Sequence, residues 1–194
     1  MKRQIKKIIN IYKTRRSIYN FTGDCPIGEE DLLSFLQGCL LTSPSPWNYQ
    51  SQRLAVFLGE AHAKLWNIIN KRLSASEQSR IKPFANAYGT ILIYYDNKST
   101  ERMKKNHAEM ADGCVEWEIE ANAMTQYQIW TGLSYLGCGV NIQHFNSLIQ
   151  KDVAKEFNTP SSWVLRTQMV FGELISIPDE HEHLDAKTRI IVEH

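Results

Sequence analysis

Apolar residues at Ile5, Ile8, Ile9 and Tyr12 recur at the spacing of one helical face, which predicts an amphipathic helix over residues 2–14. Arg15-Arg16-Ser17 follows where that helix ends, and Asp24-Cys25-Pro26 is a break. A second helix is expected from about Glu29 to Leu41, with Leu32, Leu33, Leu36, Cys39 and Leu40 on its inner face. Pro44 and Pro46 cannot continue it, so the chain loops to about Gln50. Alternation returns at Gln52–Leu58, a strand with Leu54, Val56 and Leu58 on one face. Residues 60–73 read as a helix, and the β-rich apolar run Gly89–Tyr95 suits a central strand.

Residues 99–136 are expected to form one or two helices, with Gly113 as an interruption. Gly137-Cys138-Gly139 ends that segment, and Val140–Gln143 reads as a short strand. Leu148–Phe157 follows as a helix, Trp163–Phe171 as a strand, and Thr188–Glu193 as a last short strand or extended arm. Helices and strands mix along the whole length, without repeat or linker. One domain spanning 1–194, of α+β or α/β class, is therefore expected.

Composition narrows the function. A chain of 194 residues with 43% hydrophobic content supports one real core. Lys and Arg number 22 against 21 Asp and Glu, and the net charge of +1 offers no general field for nucleic acid or a membrane surface. The longest apolar stretch, Ile91 to Tyr95, is too short to span a bilayer. The four cysteines show neither C-x-x-C pairing nor zinc spacing, and read as free thiols in a reducing compartment. The basic N-terminus lacks the apolar core of a secretory signal, so it reads as mature protein and a cytoplasmic location is expected.

Four segments carry candidate chemistry, and each has a plain structural reading beside it. Arg15, Arg16 and Ser17 offer two guanidiniums and a hydroxyl suited to a phosphate, yet arginines at a helix end also answer its free carbonyls. Pro44 to Gln50 is a stiffened loop whose Asn48 and Gln50 amides match the edge of a heterocycle, while Trp47 covers either an aromatic ligand or the protein's own core. Gly137 to His144 lets backbone approach a ligand closely and then presents Gln143 and His144, or else holds a satisfied histidine. Lys187 and Arg189, at alternate positions of an extended segment, point the same way as a second anion grip or as a solvated pair. His181-Glu182-His183 lies in an acidic loop and no metal is assigned to it. There is no G-x-G-x-x-G, P-loop or G-x-S-x-G motif.

The order and spacing of these segments resemble the nitroreductase family: Arg-x-Ser after the first helix, a Pro-Ser-x-x-Asn-x-Gln loop after the second, a late Gly-rich strand, and a terminal Lys/Arg pair. Arg15 to Tyr19, Ala87 to Thr90 and the run Gln143-His144-Phe145-Asn146 resemble the branch named after a fatty-acid-repression mutant. The resemblance covers nearly the full length. It implies an α+β fold with a central, mostly antiparallel sheet flanked by helices, an intertwined homodimer, and one FMN per site at the dimer interface.

By that resemblance Arg15, Arg16 and Ser17 hold the FMN phosphate and ribityl chain, helped by Lys187 and Arg189. Pro44, Ser45 and Asn48 meet the ring from the other subunit, with Pro46, Trp47 and Gln50 nearby. Gln143 and His144 sit on the N5 side, and Lys82 near the pyrimidine edge. The implied reaction passes hydride from NADH or NADPH through FMN to nitroaromatic, quinone or similar small aromatic acceptors. His144 and Tyr19 are the candidate proton donors. The rival implication is an FMN-binding regulatory or sensor protein without efficient turnover. Three positions depart from the family: Tyr19 stands where many members carry a cation, Trp47 replaces Phe and Ser147 replaces Pro. A tyrosine supplies a hydrogen bond but no charge to a reduced flavin.

Overall fold

Strand β2 (Gly89–Asp96) explains the architecture, because its apolar run has two faces to bury. Ile91 and Ile93 face one way, Leu92 and Tyr94 the other, and all four are buried. The computed structural model describes residues 1–193 and pairs β2 on both sides, with β1 (Gln52–Leu58) and β4 (Trp163–Gly172). Strand β3 (Gly139–Gln143) completes an antiparallel sheet of order β1-β2-β4-β3.

Helices cover each face. Leu92, Tyr94, Leu165 and Val170 pack against α3 (Gly59–Asn70), α4 (Ala75–Ala85) and α7 (Asn146–Phe157) through Trp66, Phe84 and Val153. On the other face Ile91, Ile93, Met169 and Phe171 meet α2 (Glu29–Thr42) and α6 (Cys114–Tyr135), through Leu32, Leu36, Ile129 and Leu133. Of the α+β and α/β classes left open by the pattern, the structure takes the first, and its antiparallel sheet between helices is as the resemblance implies. Among the described residues no helix is long and apolar enough to cross a membrane.

Several expectations are corrected. Helix α4 falls in a stretch the apolar pattern left unassigned, because Pro83 sits in its last turn and its apolar face is sparse. Its start signal was present in Ser74 and Glu77, whose side chains form a capping box. Leu33 is not on the inner face of α2 but 41% exposed, since it lies about 100° around the helix from Leu32. The long helical segment divides into α5 (Asn97–Asn106), a 3-10 turn at Ala108–Gly113, and α6, so Gly113 does mark the interruption. Thr188–Glu193 is neither strand nor paired arm: Ala186–Arg189 forms a 3-10 turn and the chain continues irregularly and exposed.

One helix has no core of its own. Helix α1 (Lys2–Thr14) buries no residue, and Ile5, Ile8, Ile9 and Tyr12 remain 45–56% exposed on its apolar face.

Gly89 marks the tightest point of the sheet. A Cβ there would lie 2.9 Å from both the Phe57 carbonyl oxygen and the Phe171 ring. Gly89→Ala is expected to destabilise the fold by about 1–3 kcal/mol through overpacking, read as a lower urea midpoint at unchanged slope. An unchanged midpoint would show that the sheet yields at this point.

Candidate functional site

Helix α1 ends at Arg15, whose backbone turns extended, and the chain then runs beside the edge strand β3. Ser17 bridges Val140 in parallel, the Ile18 N–H donates to the Val140 carbonyl at 2.9 Å, and Asn141 Nδ2 donates back to the Ile18 carbonyl at 2.7 Å. Ile18 is buried, so alternation turns Tyr19 outward. A short extended segment thus carries Arg15, Arg16, Ser17 and Tyr19 along the rim of β3.

At the helix end, the Arg15 guanidinium lies over the Trp130 ring, 4.5 Å from its centroid. Arg16 Nη2 donates to the carbonyls of Pro178 and Asp179 at 2.8 and 2.5 Å. Lys13, Arg15 and Arg16 share a cavity of about 470 Å³ whose far wall carries Glu180, His181 and His183 from the C-terminal segment. Three cations among its lining residues give it an anion-attracting character, which Glu180 partly offsets.

Further along the rim a second cavity of about 250 Å³ opens, lined by Tyr19, Gln143, Phe145, Phe84, Arg80 and Glu77 among others. Gln143 Nε2 donates to Asn141 Oδ1 at 2.6 Å, which orients its amide. His144, next in the chain, is exposed. Lys82 lies on α4 but lines other grooves, with Asn67 and Gln78 on one side and Phe21 and Asn86 on another. Arg80 is the α4 cation that faces Gln143. The sequence reading missed it because α4 itself was unassigned.

The Pro44–Gln50 loop is built as a rigid object. Trp47, Asn48 and Gln50 all adopt left-handed backbone, at φ of 43°, 58° and 50°. The Gln50 N–H donates to Ser45 Oγ at 2.9 Å, and Gln52 Nε2 to the Pro44 carbonyl at 3.1 Å. Pro46 opens a 3-10 turn that ends at Asn48. Trp47 stacks on His107 at 3.9 Å and 9°, with the Trp117 ring edge-on at 5.4 Å. Nothing in the sequence pattern singled out His107 or Trp117, since single residues on different elements meet only through the fold.

The two halves do not meet within one chain. Ser17 lies beside Val140, which stands in register with Phe171, Gly89 and Leu58 across the sheet. The loop feeds Gln52, at the opposite end of β1. Crossing from β3 to β1 covers about 14 Å and running along β1 about 20 Å more, at usual strand spacing and rise. Lys187 and Arg189 sit on the C-terminal segment. They lie in a turn capped by the Asp185 carboxylate, which accepts from the Lys187 N–H at 2.9 Å. Positions two apart in a 3-10 turn do not share a side, so the parallel pair expected from an extended arm is not formed.

Under the loop sits a buried acid. Ser51 Oγ donates to Glu118 Oε2, and Glu118 is wholly buried with its Oε1 unpartnered among the described residues. Burial pushes the carboxyl above the usual range, against the Ser51 hydroxyl and the Arg53 charge that pull it down.

A raised folded-state value means the native protein binds this proton more tightly than the unfolded chain. Its contribution is therefore full below the ordinary carboxylate range and lost as pH rises through the raised value. Glu118→Gln keeps an acceptor for Ser51 and removes the titration. The variant is expected to lose part of the wild-type fall in urea midpoint as pH rises above the ordinary carboxylate range. Identical pH slopes would show that Glu118 titrates normally.

Comparison with known proteins adds a family. The model described as "Nitroreductase family" matches residues 12–173. Nitroreductase FRM2 of Saccharomyces cerevisiae is 26% identical over 177 residues, covering 89% of this chain and 90% of that protein. Nitroreductase CinD from Lactococcus lactis, solved with chloramphenicol, is 34% identical with a TM-score of 0.90, over 96% of this chain and 100% of that one. The same enzyme has been solved with nicotinic acid and with 4-nitrophenol. A putative nitroreductase from Exiguobacterium sibiricum, solved in complex with FMN, is 15% identical with a TM-score of 0.69 over 95% of this chain and 96% of that one, a likeness of fold alone.

Proposed function

Because the chain belongs to the nitroreductase family, in its fatty-acid-repression-mutant-like branch, we propose that it is an FMN-dependent oxidoreductase working at a site shared by two copies of the chain. An oxidoreductase of the nitroreductase type follows from the family. FMN, NADH or NADPH as donor, and nitroaromatic or quinone acceptors are the finer reading.

The observation that carries it is the polarity of the rim beside β3. Cations gather at one end, in Lys13, Arg15 and Arg16, and an amide and aromatic rings at the other, in Gln143, Tyr19 and Phe145. A phosphorylated heteroaromatic has the same polarity, so the donor set fits FMN. Bound there, FMN would supply the two-electron chemistry that links a reduced nicotinamide to a small aromatic acceptor.

The residues of this chain would bind and orient. Arg15 and Arg16 meet the phosphate as charge-assisted donors, and Ser17 the ribityl chain. Gln143 offers its amide to the ring edge, held by Asn141. Arg80, which faces this cleft, is better placed than Lys82 to add a positive charge beside the ring. Tyr19 and His144, both exposed, are the candidate proton donors. Lys187 and Arg189 rest on the family resemblance alone.

A second copy supplies what one chain lacks. The Pro44–Gln50 loop stands at the far corner of the sheet, yet its rigid left-handed backbone suits a fixed wall for a ring. The bare apolar face of α1 supports the same homodimer, because a helix that buries nothing in one chain needs a partner. CinD complexes with nicotinic acid, chloramphenicol and 4-nitrophenol support a pocket for small aromatic ligands.

The purified protein is expected to show flavin bands, or to take up added FMN, and to bleach with NADH or NADPH under anaerobic conditions. Bands that persist would favour a sensor without turnover, and their absence after FMN addition would overturn the reading. Arg15→Ala removes one charged hydrogen-bond donor worth about 1.5–3 kcal/mol, so its FMN Kd is expected to rise about tenfold to a hundredfold. An unchanged Kd by fluorescence titration would remove Arg15 from the phosphate grip.

A further inference from the structure

Two of the four cysteines meet across the fold. Cys25 precedes α2, Cys138 precedes β3, and their sulfurs lie 3.8 Å apart although 113 positions separate them. The contact is framed on both sides. The Glu173 N–H donates to the Asp24 carbonyl at 2.6 Å, and the Cys138 N–H to the Leu133 carbonyl at 2.9 Å. Pro26 lies over Gly137, whose φ of 92° turns the chain into Cys138. The segment bearing Cys25 is thus tied to the β4 end and the β3 root that flank its partner.

The two thiols differ in the way a reactive pair requires. Cys25 is half-buried and solvent reaches it, whereas Cys138 is buried. A hydrogen bond from Cys138 stabilises the Cys25 thiolate, burial opposes it, and the Ile27 N–H adds a further donor, leaving Cys25 at about 7. Cys138 is pushed up by that same contact and by burial, and so remains a protonated thiol. Cys39 is buried and raised to about 11, and Cys114 is buried and raised as well, so neither offers an accessible thiolate.

We propose that Cys25 and Cys138 form a hydroperoxide-sensitive dithiol, in which Cys25 is oxidised first and Cys138 resolves it to an intrachain disulfide. The Cys25 thiolate attacks one peroxide oxygen, an S–O bond forms and the O–O bond breaks. Sulfur loses two electrons, the peroxide gains them, and the leaving hydroxide takes up a proton to become water. Cys138 then attacks the Cys25 sulfenic sulfur, forming S–S and breaking S–O. Its thiol proton neutralises the departing hydroxide, so two thiols and one hydrogen peroxide become one disulfide and two waters. The sulfurs need close only from 3.8 Å to about 2.05 Å. The product ties the Cys25 segment to the root of β3, the strand that carries Gln143 and braces Ser17.

The test uses the full-length protein as purified, fully reduced and then exposed to hydrogen peroxide before alkylation and peptide mapping. The expected result is loss of two of the four free thiols, a linked Cys25–Cys138 peptide lighter by two hydrogens, and reversal by a dithiol reductant. Cys138→Ser is expected to leave Cys25 as a sulfenic acid captured by a 1,3-dicarbonyl reagent, and Cys25→Ser to leave its three remaining thiols intact. Retention of all four thiols in the wild type would overturn the proposal. So would oxidation centred on Cys39 or Cys114, or a link between chains. The wild-type map decides even where a variant fails to fold, and none of these readouts depends on flavin.

Discussion

Residues 89–95 bury both faces of one strand, and that burial obliges the rest of the molecule. Such a strand needs hydrogen-bonded neighbours at both edges and helices above and below, because unpaired backbone and bare apolar surface are both costly. β1 and β4 supply the edges, α3, α4 and α7 one cover, and α2 and α6 the other. The cations and amides of the candidate site lie at the outer rims, beside β3 and before β1.

Placing function at two opposite corners has a consequence for assembly. The Ser17 rim and the Pro44–Gln50 loop, both assigned to the proposed FMN site, lie at different ends and edges of one sheet. Each is held firmly where it stands. The first is held by backbone hydrogen bonds to β3, the second by the Trp47 stack on His107 and the Ser45 and Gln52 bonds. Under the proposed function, two half-sites that do not meet in one chain are joined by a twofold pair of copies, which brings each half to the other's complement. The exposed apolar face of α1 fits the same arrangement.

Buried polar groups do quieter work at the same places. Glu118 with Ser51 anchors the start of β1, and Asn122 Nδ2 donates to the Tyr94 carbonyl at 2.9 Å, so α6 is locked to the sheet by polar as well as apolar contacts. Asn141 ties the Ser17 segment to β3 and orients Gln143 in the same gesture. The Cys25–Cys138 contact closes the base of that strand. Thus the strand that would face a cofactor is braced along its length by groups whose partners lie far away in sequence.

The sequence by itself determined the elements whose periodicity is local: α1, the β1 and β2 strands, and the order of the Arg15–Ser17, Pro44–Gln50 and Gln143–His144 segments that mark the family. Helix α4 was legible in principle, through Ser74 and Glu77, but Pro83 and a thin apolar face hid it. Tertiary structure alone decided that Arg80 rather than Lys82 faces Gln143, that His107 carries Trp47, that Leu33 is exposed, and that Cys25 touches Cys138. It also set Lys187 and Arg189 in a turn rather than an arm. The physical reason is one of range. Helical and strand periods are set by neighbours within a few residues, whereas these contacts join positions tens to a hundred residues apart and exist only once the doubly buried sheet has brought them together.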